Sequence, residues 1–154
     1  MKRAARIVAS GPAAAAVWWL GLLVVFGPAQ KILSDPARQS AKFLAAFTEA
    51  PAPRMVEQPA AMVAGLLVIA FIHAGVYAGI GPRLPGGAVR RGSAFGLAAW
   101  ALMVPWFEFY LPWNVMLEPL PLVLLEAVCW LVVLQGVGLA LALVQGPPSH
   151  PRSS

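Results

Sequence analysis

Charge is what this sequence holds least of. Only 11% of its 154 residues are Asp, Glu, Lys or Arg, against about 25% in a soluble globular domain. Too few charged side chains remain to cover a water-facing surface, so a water-soluble domain is excluded. A hydrophobic content of 60% excludes a disordered chain as well. A single cysteine, Cys129, rules out a disulfide scaffold and any redox centre that needs a thiol pair. Of the two histidines, His150 lies in a Pro-rich tail, so His73 alone stands among apolar residues and a two-histidine haem site is excluded. No cluster has metal-ligand spacing. Neither a P-loop, a dinucleotide fingerprint nor a Gly-x-Ser-x-Gly elbow occurs, and Pro85-Gly86-Gly87 reads as a turn. The expectation is a non-enzymatic protein with no metal and no cofactor.

The net charge of +5 does not point to nucleic acid. Its basic residues form short clusters, Lys2, Arg3 and Arg6, then Arg83, Arg90 and Arg91, with no long basic stripe interleaved with aromatics. Short basic clusters beside apolar segments are topology signals of a membrane protein.

What is present in quantity is uncharged length. Arg6 and Lys31 bracket 24 uncharged residues, Glu57 and Arg83 bracket 25, and Arg91 and Glu108 bracket 16. These windows predict helices over about 7–26, 60–79 and 93–111, and a fourth over about 120–144 that carries Glu126 and ends before Gly146-Pro147-Pro148. Each is long enough to cross a hydrocarbon core of roughly 30 Å. Backbone groups in lipid must be satisfied within helices or a closed barrel, and the period-two pattern of barrel strands is missing. The prediction is an all-α four-helix membrane bundle forming one domain over 1–146, followed by a Pro/Ser-rich tail, 147–154. The first helix also fits a signal peptide with Gly27-Pro28-Ala29 as its cleavage site. Pro28 beside the scissile bond and the Trp18-Trp19 pair favour a retained span.

With both termini inside, the inner segments hold seven basic residues (Lys2, Arg3, Arg6, Arg83, Arg90, Arg91, Arg152) and the outer ones four (Lys31, Arg38, Lys42, Arg54). The bias places both termini in the cytoplasm of a bacterial inner membrane. In the long outer connection, Asp35-Pro36 reads as a helix start. Over 36–50, Phe43, Leu44 and Phe47 share one face and Arg38, Lys42 and Glu49 the other, as in an interfacial helix lying on the membrane or packed on the span ends.

The candidate functional groups are the ionisable ones at membrane depth. Glu108 lies near the end of the third helix and Glu126 near the start of the fourth, both about 5–9 Å from the same face. Glu118, in the loop between, belongs to the same layer. Crowded, desolvated carboxyls of this kind are candidates for carrying protons; the plainer alternative has them reach water or pair with Arg54, Lys42 or Trp N–H groups. His73 sits deep in the second helix, where its ring bonds a neighbouring helix and makes no direct contact with the glutamates. Trp106, Tyr110 and Trp113 form an aromatic belt or the wall of a shallow pocket, with Pro105 kinking the helix beside them. Gly75-x-x-x-Gly79 and Gly92-x-x-x-Gly96 flank one hairpin and predict close packing across it.

These residues predict an accessory or scaffold bundle in the lipid bilayer, meeting a membrane-protein partner or further copies of itself and no nucleic acid. The alternative is a small oligomeric transporter or binding protein that uses its membrane carboxyls for protons or a cationic solute. Small multidrug transporters likewise combine four spans with a membrane glutamate, but theirs lies in the first helix, where this chain has no acid.

Overall fold

In the computed structural model, which describes residues 3–51 and 53–146, the first apolar stretch becomes one continuous helix. Helix α1 comprises Arg3–Gly21, a π-helical turn Leu22–Phe26 and Gly27–Leu33. In that turn the Gly27 N–H donates to the Leu22 carbonyl, five residues back, immediately before Pro28, which has no N–H to give. Helix α2 is Ala41–Thr48. A short helical turn, Arg54–Glu57, leads into α3, Pro59–Ile80, which ends in a 3-10 turn, Gly81–Arg83. Helix α4 is Ala88–Glu108 and runs on into a second π-helical segment, Phe109–Val115. Helix α5 is Leu120–Gln145, with Pro121 in the first turn, where a missing N–H costs nothing. Among the described residues there is no strand.

Four of these helices, α1, α3, α4 and α5, are long and apolar enough to cross a membrane. Helix α5 is the central one: α1 and α4 both pack on it, and α3 packs on α1. Trp18, Phe26 and Leu33 of α1, Ala74 and Tyr77 of α3, Phe95 of α4, and Val133, Leu134, Val137 and Leu141 of α5 form the core. The outward faces are equally apolar, with Leu102 82% exposed and Val24, Ile72, Val89 and Leu143 also exposed. A helix apolar all round is the pattern of a span in lipid.

Three expectations are corrected. The first apolar helix runs on past Lys31 to Leu33, and the third begins at Ala88, taking in Arg90 and Arg91, and passes Glu108 as expected to end at Val115. Asp35-Pro36 does not start a helix. Asp35 accepts the Ala37 N–H on its side chain at 3.0 Å and the Arg38 N–H on its carbonyl at 2.9 Å, which closes a turn. Helix α2 begins five residues later at Ser40, whose hydroxyl accepts the Phe43 N–H at 3.0 Å. The glycines of the α3–α4 hairpin do not pack on each other either. Gly92 and Gly96 lie against the α5 backbone at Gly138, Leu139, Leu134 and Gln135, while Gly75 faces open space. Helices α3 and α4 therefore stand apart, and an apolar groove of about 340 Å³ runs between them. The tail, with His150 and Arg152, lies outside the described residues.

Candidate functional site

The end of α4, the start of α5 and the loop between them bring Glu108, Glu118 and Glu126 together. Glu108 is the last α-helical residue of α4 and is turned inward, 1% exposed. Glu126 lies in the second turn of α5 and faces it. Trp130, one turn beyond Glu126 on the same side of α5, also presents its indole to the Glu108 carboxyl. The Trp130 ring is itself fixed by Phe26 at 4.6 Å and Trp18 at 5.5 Å between centroids.

Glu118 reaches the same place by a backbone device. Leu117 has φ +59°, a left-handed conformation unusual for a branched side chain. The turn sends Leu117 outward, 63% exposed, and Glu118 inward, 2% exposed. An apolar residue out and a carboxylate in is the reverse of what water favours, so the local structure over-determines the position of Glu118. The Glu118 N–H donates to the Pro112 carbonyl at 2.9 Å, and Gln39 donates its side-chain amide to Glu118 Oε1 at 2.6 Å and to the Leu33 carbonyl at 3.0 Å. Ser40 Oγ donates to the Met116 carbonyl at 2.6 Å. The connection after α1 is thus latched onto the α4–α5 loop.

Among the described side chains no positive charge answers these carboxyls. Among the described residues the one ion pair is Arg38–Asp35 at 3.2 Å, on the surface, and Lys42 is exposed. Glu108 Oε2 and Glu118 Oε2 are buried without a hydrogen-bond partner. Burial pushes the Glu118 carboxyl up from 4.5 to about 7; the nearby Glu126 charge adds to the rise and the Gln39 amide opposes it. Two carboxyls facing each other in a site without a cation can form a hydrogen bond only if one of them carries a proton.

The other predicted residues lie elsewhere. His73 is buried in α3, and its Nδ1 is bonded not to a neighbouring helix, as expected, but to the Ile69 carbonyl of its own helix at 2.8 Å. That carbonyl can only accept, so Nδ1 holds the proton. Its ring packs edge-on to Trp18 at 6.0 Å and Phe95 at 6.2 Å, so two indoles, Trp18 and Trp130, separate it from Glu108. Trp106 and Tyr110 stack at 5.0 Å on the exposed side of α4, and Trp113 is exposed beyond them. They face away from the carboxyls as a belt does and do not wall them. Residue typing alone missed Gln39, Ser40 and Trp130. The i, i+4 spacing of Trp130 from Glu126 was a usable signal; nothing in the sequence around Gln39 marks it, since its partner is 79 positions away.

No known protein family matches the chain, and no curated protein or solved structure is similar to it.

Proposed function

We propose that this is a small multi-pass protein of the bacterial inner membrane, with both termini cytoplasmic. In this reading it is a non-enzymatic accessory or scaffold bundle that holds a proton between Glu108 and Glu126 near its outer face. The observation that carries the reading is the meeting of those two carboxyls inside the helices, beside Trp130 and with no cation among the described side chains. The apolar outward faces and the seven-to-four basic bias support insertion and orientation. Helix α2 buries none of its residues, and its exposed Phe47 lies tilted against Phe43 at 5.1 Å between centroids, which suits a helix resting in the outer interface. A second reading, a small oligomeric transporter for protons or a cationic solute, is favoured by the open acceptor atoms on Glu108 and Glu118.

The test is Glu126→Gln, which keeps the volume and removes the titration. Thermal stability in detergent from pH 5 to 8 and pH-driven uptake in reconstituted vesicles are measured for both proteins. As an accessory bundle, the wild type carries no flux and the variant loses part of the pH dependence of stability. Proton-coupled flux abolished by the variant would establish the transporter. Identical pH profiles for the two proteins would remove the shared proton.

A further inference from the structure

The end of the molecule opposite the carboxyls is built from arginines. All six acids of the chain are Asp35, Glu49, Glu57, Glu108, Glu118 and Glu126, and none lies near the start of α1, the α3–α4 turn or the end of α5. These three places are tied together. Gln145 of α5 donates to Ser10 Oγ of α1 at 2.9 Å and to the Ala74 carbonyl of α3 at 3.0 Å. Arg91 of α4, 6% exposed, donates to the Gly86 carbonyl at 3.0 Å and to the Gly146 carbonyl at 3.4 Å. Among the described residues this buried guanidinium is answered only by carbonyls, and a buried charge without a counterion is costly. Arg6, one turn before Ser10, has a buried Nε with no partner. Arg83, in the 3-10 turn, and Arg90, in the first turn of α4, are exposed. Helix α4 opens on Gly87 with no side-chain cap and no acid in its first turn, so its free N–H groups add to the positive potential.

The apolar groove meets this basic end directly. It runs between α3 and α4 from Ile80 up to Ile69 and is lined by Val76, Phe95, Ala98 and Leu102 among others. Ile80 also borders the open hollow beside Pro82 and Arg83. Eleven helical steps of α3 from Ile69 to Ile80 make the groove about 16 Å long, the length of most of a fatty acyl chain.

We propose that this composite is a binding site for one anionic phospholipid: the phosphate at Arg83, within the field of Arg90, one acyl chain in the α3–α4 groove, and Arg91 as the positioning residue that fixes the turn against the end of α5. A soluble acid would use the arginines and leave the groove empty, and a partner helix would need no charge at its mouth. The inference rests on the membrane reading above, which flotation with neutral phosphatidylcholine vesicles tests separately.

The experiment is native mass spectrometry of the full chain released from phosphatidylcholine nanodiscs with and without phosphatidylglycerol. Phosphatidylglycerol should be retained in preference to phosphatidylcholine. The Arg83→Gln/Arg90→Gln variant should bind it about 25-fold more weakly, from about 1 kcal/mol per basic residue near an anionic surface and 1.4 kcal/mol per tenfold. Ala98→Trp should displace lipid by filling the groove, whereas Lys31→Gln/Lys42→Gln, at the other end, should retain it. Equal retention of both lipids, unchanged binding in the double arginine variant, or equal stabilisation by inorganic phosphate would overturn the proposal. A protein that fails to float overturns the membrane reading instead.

Discussion

The contact between α4 and α5 depends on hydrogen atoms where other residues carry carbon. A Cβ added at Gly96 would stand 2.6 Å from the Leu134 carbonyl oxygen and 2.9 Å from the Gln135 Cα. One at Gly92 would stand 2.8 Å from both the Gly138 oxygen and the Leu139 Cα. All of these are backbone atoms and cannot rotate away. To bring the Gly96 contact out to an ordinary 3.4 Å, the helices must part by about 0.8 Å (3.4 less 2.6). A gap of that size forfeits about a quarter to a half of the dispersion energy along the seam. It also stretches the Gln135 Nε2 to Ser93 carbonyl bond, already 3.3 Å, beyond bonding range. Gly96→Ala should therefore cost about 2–3 kcal/mol. Gly75→Ala meets nothing within 4 Å and should gain up to about 1 kcal/mol from helix propensity. The assay is unfolding in mixed micelles of rising SDS fraction, followed by tryptophan fluorescence. Equal destabilisation by the two variants would refute the assignment of the glycine seam to α4 and α5.

The Glu118 carboxyl should leave a pH signature of known sign. Because its proton is held more tightly in the folded state, with the value raised from 4.5 to about 7, stability is full below about pH 4.5 and falls as the pH rises through 7. The ceiling is about 3 kcal/mol. Glu118→Gln should thus stabilise at pH 8 and be neutral at pH 4.5; thermal midpoints that shift equally at both would defeat this account. Thr48→Cys and Gly87→Cys should react from opposite sides of the membrane with an impermeant maleimide, while buried Cys129 stays unlabelled. Labelling of both from one side would overturn the orientation.

Much of the architecture is legible without coordinates because its cause is one-dimensional. A helix long enough to span lipid needs a run of apolar residues and nothing from the rest of the chain, so the four spans follow from uncharged windows. Their ends are less legible. Lys31 and Glu108 interrupt the windows without interrupting the helices, since hydrogen bonding along a backbone is indifferent to a terminal charge that has somewhere to go. Asp35-Pro36 has the composition of a cap, yet Ser40 takes the role; both can accept an N–H, and the anchoring of Ser40 to Met116 decides between them.

By itself the sequence determined that the chain is helical, which stretches are apolar enough to cross a membrane, and that three glutamates share one layer, because helix rise converts residue number into depth. Only the tertiary structure decided what those residues meet. That Glu108 turns inward to Glu126 and Trp130, that Gln39 crosses 79 positions to hold Glu118, and that Gly92 and Gly96 serve α5 and not the hairpin all depend on helix rotation about its axis. In a helix apolar on every side, no amphipathic stripe states that rotation, and only the packing of neighbours sets it.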